Sequence, residues 1–274
     1  MIETAILLGT AFLGAAWVIE YVQSLMPARL RKPPHIRTNY RGREVIATAG
    51  VALVPLPVIG MAFALTGTHR AVPIAIAAAG TASAVLGYLD DVYGSRHAGG
   101  FIGHARELLR GRLTTGLVKA LGGGVVGLIA AWAVGRRGTW IVAGGAVVAL
   151  GSNLANLFDL RPGRAIKIWL PCAAALVIGG LPGHSERTLV CLGGGVVAFL
   201  FVELRERVML GDTGAGLIGT VVGVAAVASL QRTALLVILA VLVLLTLISE
   251  RVSFTRVIES VPPLRWADRL GRAG

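Results

Sequence analysis

The sequence predicts an all-α polytopic membrane protein, and its composition and the distribution of its apolar residues support that prediction. Hydrophobic residues make up 55% of the 274 residues and charged residues only 15%, and the mean hydropathy is +0.76. Soluble domains carry about 25% charged residues. The apolar residues fall into runs, several of which are long enough to cross about 30 Å of hydrocarbon. This composition excludes a soluble enzyme, a disordered chain and a secreted disulfide scaffold.

Nine apolar runs are predicted to span the membrane and to form a helical bundle over residues 1–250. The runs are 2–24, 45–66, 71–89, 117–134, 139–156, 167–181, 188–204, 214–230 and 233–250. Glycines four residues apart, such as Gly123 and Gly127 or Gly219 and Gly223, let helix backbones approach closely. The segment 251–274 alternates basic and apolar residues, which predicts an amphipathic tail on the cytoplasmic membrane surface.

The basic residues predict the orientation of the bundle. Of the 26 lysines and arginines, 20 fall in one alternate set of loops and the tail, and only 5 in the other loops. Because cytoplasmic loops carry an excess of basic residues, we expect the N-terminus outside and the C-terminus in the cytoplasm. The protein itself is expected to lie in the plasma membrane. The net charge of +12 therefore reflects topology and does not indicate nucleic-acid binding. Glu3, with no basic residue before the first span, argues against a cleaved signal peptide.

The chain has only five aspartates, and four of them lie at predicted cytoplasmic ends of spans. Asp90 and Asp91 lie in GYLDDVYG, Asp159 in NLANLFDLRPGR and Asp212 in MLGDTGAG. Adjacent carboxylates repel each other unless a cation binds them. Mg²⁺ takes one or two carboxylates, and phosphates and waters complete its shell. We therefore expect a Mg²⁺ site, with Mn²⁺ as an alternative ion; otherwise the doublet caps a helix or pairs with Arg96.

The segment GDTGAG is predicted to begin the eighth span. Gly211 and Gly214 allow tight turns, and Asp212 or Thr213 can cap the helix. The free N–H groups and the positive end of the helix dipole favour a bound phosphate. Lys119, just inside the fourth span, either snorkels to the interface or faces the bundle and neutralises a phosphate.

The remaining charged and titratable residues carry less information. The arginines of 29–43 could bind a substrate diphosphate, but anionic lipid is the preferred interpretation. His35, His97 and His104 show no metal-ligand spacing and are predicted to be solvated loop residues. Cys172 and Cys191 lie in apolar runs and indicate neither a metal site nor a disulfide.

In their order along the chain, these motifs resemble the polyprenyl-phosphate sugar-1-phosphate transferase superfamily, which includes MraY, WecA and TagO (glycosyltransferase family 4). Three features carry the resemblance over about residues 40–255: an Asp-Asp doublet after the third span, an Asn-x-x-Asn-Leu-x-Asp loop after the fifth, and Gly-Asp-x-Gly before the eighth. The resemblance implies that undecaprenyl phosphate attacks the β-phosphate of a UDP-sugar, giving a lipid-diphospho-sugar and UMP for cell-envelope glycan synthesis such as peptidoglycan. It also suggests an MraY-like helical bundle and a homodimer.

The resemblance further implies roles for residues that match the motifs. The implied roles are catalysis for Asp90, Asp91, Lys119 and Asp159, metal binding for Asp212 and Asp91, and nucleotide contact for Asn153 and Asn156. The sugar donor would resemble UDP-GlcNAc or a UDP-MurNAc-peptide.

Two departures from the family pattern concern substrate choice. Where MraY-like members continue Gly-Leu-Asp-Gly, this chain reads Leu160-Arg161-Pro162-Gly163-Arg164. Arg161 and Arg164 are predicted to bind an extra phosphate or carboxylate of the substrate, or else to pair with Asp159. The late cytoplasmic loop with clustered histidines has no counterpart, so the sugar is not predicted.

Other function classes stay open at this level. A catalytically silent paralogue would bind polyprenyl phosphate and act in assembly or regulation; the altered loop favours it, and the retained Asp90, Asp91, Lys119 and Asp212 oppose it. A transporter would place charges or broken helices near the midplane, whereas these acids cluster at one surface. The longer aspartate pattern of CDP-alcohol phosphotransferases is not found.

Overall fold

A computed structural model describes residues 2–26, 28–94 and 100–272. Arg96 and His97 lie outside these described residues, as does the side chain of His104, so what was predicted for them stays a prediction. Within the described ranges the chain is predominantly helical and contains a short β-hairpin.

The α-helices are numbered α1 to α12 in chain order. Their bounds are α1 Ile2–Glu20, α2 Pro55–Ala64, α3 Ala71–Tyr93, α4 Gly100–Leu109, α5 Thr115–Ala133, α6 Thr139–Phe158, α7 Arg164–Gly179, α8 Glu186–Glu203, α9 Gly211–Ser229, α10 Arg232–Ser249, α11 Phe254–Ser260 and α12 Pro262–Arg269. A π-helical turn, Tyr21–Leu25, extends α1, and a 3₁₀ turn, Ala49–Leu53, precedes α2. The hairpin strands are β1 Ile36–Thr38 and β2 Glu44–Ile46.

Among the described residues, six helical segments are long and apolar enough to cross a membrane: Ile2–Ser24, Ala71–Tyr93, Thr115–Ala133, Thr139–Phe158, Gly211–Ser229 and Arg232–Ser249. The chain is therefore an α-helical protein with the character of a multi-pass membrane protein. The other predicted spans match shorter or more charged helices, since α7 has 16 residues with Pro171 inside it and α8 contains Glu186, Arg187 and Glu203. The count of nine spans and the orientation stay predictions.

The second predicted span, 45–66, is not one continuous helix. It begins as strand β2, continues as the 3₁₀ turn and becomes the ten-residue helix α2 only at Pro55. Proline has no N–H for an internal helical hydrogen bond, but it is favourable at the first helical position. The break therefore falls where the prolines of VPLP require it.

The helical fold agrees with the predicted all-α class, and the short hairpin is a local addition to it. Its strands pair antiparallel, with Ile36 opposite Ile46. The Asn39 Oδ1 accepts hydrogen bonds from the N–H groups of Arg41 and Arg43, at 2.8 and 3.0 Å, and Gly42 adopts a φ of +76° in the turn. Asparagine and glycine favour turns for these reasons. The charge of this basic stretch does not predict the hairpin; Asn39 and Gly42 are the turn signal.

Helix α9 is the central helix and packs against α3 and α6 through small residues. A Cβ on Gly87 would lie 2.2 Å from the carbonyl oxygen of Asp212, and one on Gly219 would lie 2.7 Å from that of Gly151. Glycine at such positions lets backbones touch. The Gly87 contact places the end of α3, with its aspartate doublet, beside the start of α9.

Candidate functional site

Asp90, Lys119 and Asp212 form a charge cluster where α3, α5 and α9 meet. The Lys119 Nζ lies 2.9 Å from Asp90 Oδ2 and 2.9 Å from Asp212 Oδ2. Thr115 donates a hydrogen bond of 2.6 Å to Asp90 Oδ1. The end of the bundle that holds this cluster is called the site end below. Two carboxylates from different helices thus face one cation, and Lys119 turns toward the bundle.

Asp91 points away from this cluster and caps helix α9. Its Oδ1 accepts from the Asp212 N–H at 3.1 Å, and its Oδ2 accepts from the N–H and hydroxyl of Thr213 at 2.9 and 2.7 Å. The side chain is buried. The anion at this helix N-terminus is therefore a carboxylate of the protein, and neither Asp212 nor Thr213 supplies the cap as predicted. The metal and catalytic roles of Asp91 stay predictions.

A polar cavity of about 360 Å³ opens beside Asp212. Its walls come from the hairpin, the end of α6 and the start of α9, and it includes Arg37, Tyr40, Asn156, Asp159 and Asp212. The Arg37 guanidinium donates a hydrogen bond of 2.5 Å to the Asp91 carbonyl oxygen, which orders this arginine within the wall. The cavity is therefore lined by four carboxylate residues and one guanidinium.

A second space, the groove, lies on the other side of the cluster. It has a volume of about 500 Å³ and runs between α5 and α6, with Asp90, Lys119 and Asn153 at its polar part. The rest of its lining mixes small and apolar residues, including Gly123 and Leu150, with polar ones, including two serines and a glutamate. The groove therefore combines a charged cluster with a mixed lining along two helices able to span a membrane.

Asn156 lines both the cavity and the groove. Its Oδ1 is inaccessible to solvent and has no hydrogen-bond partner among the described residues. A buried acceptor without a hydrogen-bond partner lowers the stability of the folded protein unless a ligand or water bonds to it. Asn156 is thus suited to contact a bound molecule at the boundary of the two spaces.

Asp159 follows the last residue of α6 and lines the cavity. Burial, reinforced by the negative charges of Glu203 and Asp212, raises the pKa of the Asp159 carboxyl well above its ordinary value. A hydrogen bond from the Gly211 backbone opposes this rise. Asp159 and Asp212 therefore lie close enough for their charges to interact.

Arg164 lies away from both spaces in a sealed ion pair. Its side chain is only 3% exposed, and its Nε and Nη2 donate to the two carboxylate oxygens of Asp268 at 2.7 and 3.1 Å. Its Nη1 donates to the Thr255 hydroxyl at 2.9 Å. The predicted pairing with Asp159 is not observed, because Asp268 of the C-terminal segment takes that place. These contacts support a structural role and give no support to the predicted substrate role.

Arg161 occupies an intermediate position at the rim. Its guanidinium carbon lies 4.1 Å from the centre of the Tyr40 ring, and its Nη2 lies 3.6 Å from Glu259 Oε1. Tyr40 lines the cavity although Arg161 does not. Arg161 can therefore influence a ligand through Tyr40, and its predicted substrate role stays a prediction.

Two glutamates that the sequence analysis did not single out organise the cavity walls. Buried Glu206 accepts hydrogen bonds from Asn39 and Tyr40 at 3.2 and 3.1 Å and lies 3.3 Å from the Arg41 guanidinium. It fixes the hairpin against the loop between α8 and α9. The sequence signal is the second acid of ELRER, which lies between two arginines.

Glu203 has a similar role deeper in the protein. Its side chain is 1% exposed, and it accepts hydrogen bonds of 3.0 Å from the N–H groups of Gly163 and Leu210. Leu210 directly precedes α9, and Gly163 belongs to the loop after Asp159. One carboxylate therefore positions two chain segments that carry predicted site residues.

His35 is not a solvated loop residue as predicted. It is 9% exposed, its Nδ1 lies 3.3 Å from the Thr48 hydroxyl, and its ring stacks on Tyr88 with centres 6.0 Å apart. The folding of the hairpin against the bundle buries it, which its local sequence did not indicate.

At the opposite end of the bundle, Glu3, His184 and Glu186 bring their ligand atoms within 4.8 Å of one another. Both Glu3 oxygens accept from Arg187, at 2.9 and 2.8 Å. This arginine also donates to the Phe63 carbonyl at 2.8 Å. The group is therefore an ion-pair network that joins α1, α2 and α8.

Comparison with known proteins agrees with this arrangement of motifs. A family model described as "Glycosyl transferase family 4" matches residues 73–230, more than half of the chain. The matched region includes Asp90, Lys119, Asp159 and Asp212. A search of curated proteins gives no significant match. The chain therefore belongs to glycosyl transferase family 4, the family of MraY, WecA and TagO.

Proposed function

We propose that this protein transfers a sugar-1-phosphate from a UDP-sugar to a polyprenyl phosphate and releases UMP, at the cytoplasmic face of the plasma membrane. One observation carries the proposal: a cavity with polar walls, and a groove that runs along two helices able to span a membrane, meet at the Asp90–Lys119–Asp212 cluster. A nucleotide-sugar is polar and arrives from water, whereas a polyprenyl phosphate arrives within the bilayer. The two spaces suit these two substrates.

The cavity has the size and chemistry of a site for a small polar molecule. Its volume of about 360 Å³ falls within the range of roughly 300–1,000 Å³ for ligand pockets. Arg37 offers a fork of donors that matches phosphate oxygens. Asn156 places an amide side chain between the cavity and the groove.

The donor set at the cluster fits a divalent metal. Asp90 and Asp212 already direct one oxygen each to a common cation, the Lys119 ammonium, and carboxylate oxygens are the ligands that Mg²⁺ prefers. We therefore assign Asp90 and Asp212 to Mg²⁺ binding, with Mn²⁺ as the alternative ion. When bound, the ion would neutralise charge on the diphosphate and on the leaving UMP.

The residues of the chain would position the reacting groups. Lys119, at the polar end of the groove, would attract the phosphate of the lipid. An oxygen of that phosphate would bond to the β-phosphorus of the UDP-sugar, and the bond from this phosphorus to the bridging oxygen would break. The bridging oxygen would leave with UMP. A phosphate monoester is largely dianionic near pH 7, since its second pKa is about 6, so its attack requires no proton removal.

The test is an omission assay on the purified protein. Undecaprenyl phosphate, Mg²⁺ and a panel of UDP-sugars are mixed with the protein, and each component is left out in turn. We expect UMP release with at least one sugar, and only when lipid, metal and donor are all present. Absence of release with every sugar, while undecaprenyl phosphate still binds, would instead support a catalytically silent lipid-binding paralogue. The homodimer stays a prediction.

A further inference from the structure

The C-terminal segment 254–272, called the tail segment below, is fastened to the bundle along one side. Besides the Arg164–Asp268 pair, Phe254 stacks on Phe158 with ring centres 5.1 Å apart and an interplanar angle of 11°. Arg272 donates to the Pro162 carbonyl oxygen at 3.1 Å. The tail segment therefore has a fixed position beside the loop that joins α6 and α7.

The tail segment also has exposed apolar side chains. Trp266 is 68% exposed, Leu264 48% and Leu270 56%. Val257 and Val261 are exposed as well. An exposed tryptophan among aliphatic side chains is costly in water but is typical of the boundary between lipid headgroups and acyl chains.

The tail segment also carries three exposed arginines. Arg256, Arg265 and Arg269 are exposed, and none forms an ion pair with any residue that the structure describes. The acids of the segment are engaged elsewhere, Glu259 with Arg161 and Asp268 with Arg164. The charged side chains of the tail segment that remain for an external partner are therefore positive.

The connection to α10 keeps the tail segment near a membrane surface. Helix α10, one of the six segments able to span a bilayer, ends at Ser249, and α11 begins at Phe254. The short link and the contacts with the α6–α7 loop hold the tail segment at the site end. A basic and apolar face in this place complements an anionic lipid surface.

We propose that the exposed side chains of the tail segment bind the anionic lipid surface at the site end of the bundle. Trp266, Leu264 and Leu270 lie at the level of the headgroups, while Arg256, Arg265 and Arg269 contact lipid phosphates. Because Asp268 and Phe254 hold the loop that carries Asp159, the membrane-bound segment also supports one wall of the polar cavity. This proposal does not depend on the proposed catalytic function.

The test is fluorescence of the full chain in lipid nanodiscs with brominated acyl chains, which quench tryptophan at the membrane surface and within it. The nanodiscs contain either phosphatidylcholine alone or equal parts of phosphatidylcholine and phosphatidylglycerol. Subtracting the signal of Trp266→Phe isolates Trp266 from the other four tryptophans. We expect this component to be quenched by the brominated lipid, more strongly with phosphatidylglycerol, and to be protected from aqueous iodide.

A matched pair of charge variants tests the role of the arginines. The triple variant Arg256→Gln, Arg265→Gln and Arg269→Gln should lose the phosphatidylglycerol dependence of the Trp266 quenching. The control variant, Arg205→Gln with Arg207→Gln, removes exposed basic residues between α8 and α9 and should keep it. Quenching of Trp266 by iodide instead of brominated lipid would overturn the proposal. Protection from both quenchers would also overturn it, because protein would then cover the segment.

Discussion

Two charge clusters lie at the same end of the bundle and differ in the solvent exposure of their side chains. In the Asp90–Lys119–Asp212 cluster the side chains are 15–30% exposed and border two spaces. In the Arg164–Asp268 pair the side chains are 3% and 6% exposed, and both carboxylate oxygens accept hydrogen bonds from the arginine. The first arrangement leaves charge accessible to a ligand, and the second uses it to join chain segments.

This difference predicts opposite responses to substitution. A partly exposed carboxylate contributes little to folding, because solvent screens its ion pairs. A sealed charge that loses its partner destabilises the fold strongly. Substitution in the open cluster should therefore impair activity without unfolding, and substitution in the sealed pair should impair stability first.

The largest expected effect is that of Asp212→Asn on turnover. This change removes one of the two carboxylates assigned to the metal, so we expect UMP release to fall by about 100-fold or more. The midpoint of thermal unfolding should remain near that of the unsubstituted protein, since Lys119 keeps Asp90 as a partner. Near-normal UMP release at ordinary Mg²⁺ concentrations would contradict the metal assignment.

Arg164→Ala should have the largest effect on stability. Among the described residues, it leaves the Asp268 carboxylate with only Arg272, 2.6 Å away, and breaking a buried pair costs about 3 kcal/mol at the lower end of the usual range. Chemical denaturation measures the loss in the free energy of unfolding. The control replaces both partners, Arg164→Met with Asp268→Leu, and should recover part of that loss. An unfolding free energy unchanged by Arg164→Ala would show that the sealed pair contributes nothing.

Arg161→Ala is expected to change stability by less than about 1 kcal/mol, because its partner Glu259 is half exposed and its stacking on Tyr40 is a weak interaction. Since Tyr40 lines the cavity, we expect the relative kcat/KM for two UDP-sugars to change while the Mg²⁺ dependence stays constant. Unchanged selectivity would make Arg161 a purely structural residue.

The smallest effect is a pH dependence from the sealed pair. Burial alone would raise the pKa of the Asp268 carboxyl, but hydrogen bonds and charges from Arg164 and Arg272 hold it below the ordinary value of 3.8. A lowered pKa adds stability that is fully present above the ordinary value and is lost as the pH falls through the folded value. In pH-dependent denaturation, unsubstituted protein and Asp268→Asn should therefore differ above that value and converge in acid. Parallel curves would contradict this.

The location of Asp90 and Asp212 at one end of the bundle could be predicted from the sequence because hydropathy is a local property. Runs of apolar residues place the ends of spans, and alternate ends of a helical bundle meet on one side. The residues at those ends, Asp159 among them, were therefore expected to lie near one another. The close glycine contacts at Gly127 and Gly219 follow from the same local pattern.

The partners of individual charges could not be predicted in this way. Asp91 caps a helix that begins 120 residues later in the chain, counted from Asp91 to Gly211, and Glu206 holds a hairpin far earlier in the sequence. Arg164 pairs with the C-terminal segment and not with neighbouring Asp159. Each pairing depends on how distant segments fold against one another. The spacing of residues within a motif does not predict such long-range pairings.

The claim that the lipid and the nucleotide-sugar approach the cluster from different spaces is tested most directly by filling the groove. Gly123 lines the groove and Gly124 does not, and a Cβ on either would have no described atom within 4 Å. We predict that Gly123→Leu raises the KM for polyprenyl phosphate by about tenfold, which corresponds to about 1.4 kcal/mol, and leaves the KM for the UDP-sugar unchanged. Gly124→Leu should behave like the unsubstituted protein. Equal lipid KM values for the two variants, or an effect on the UDP-sugar alone, would contradict the claim.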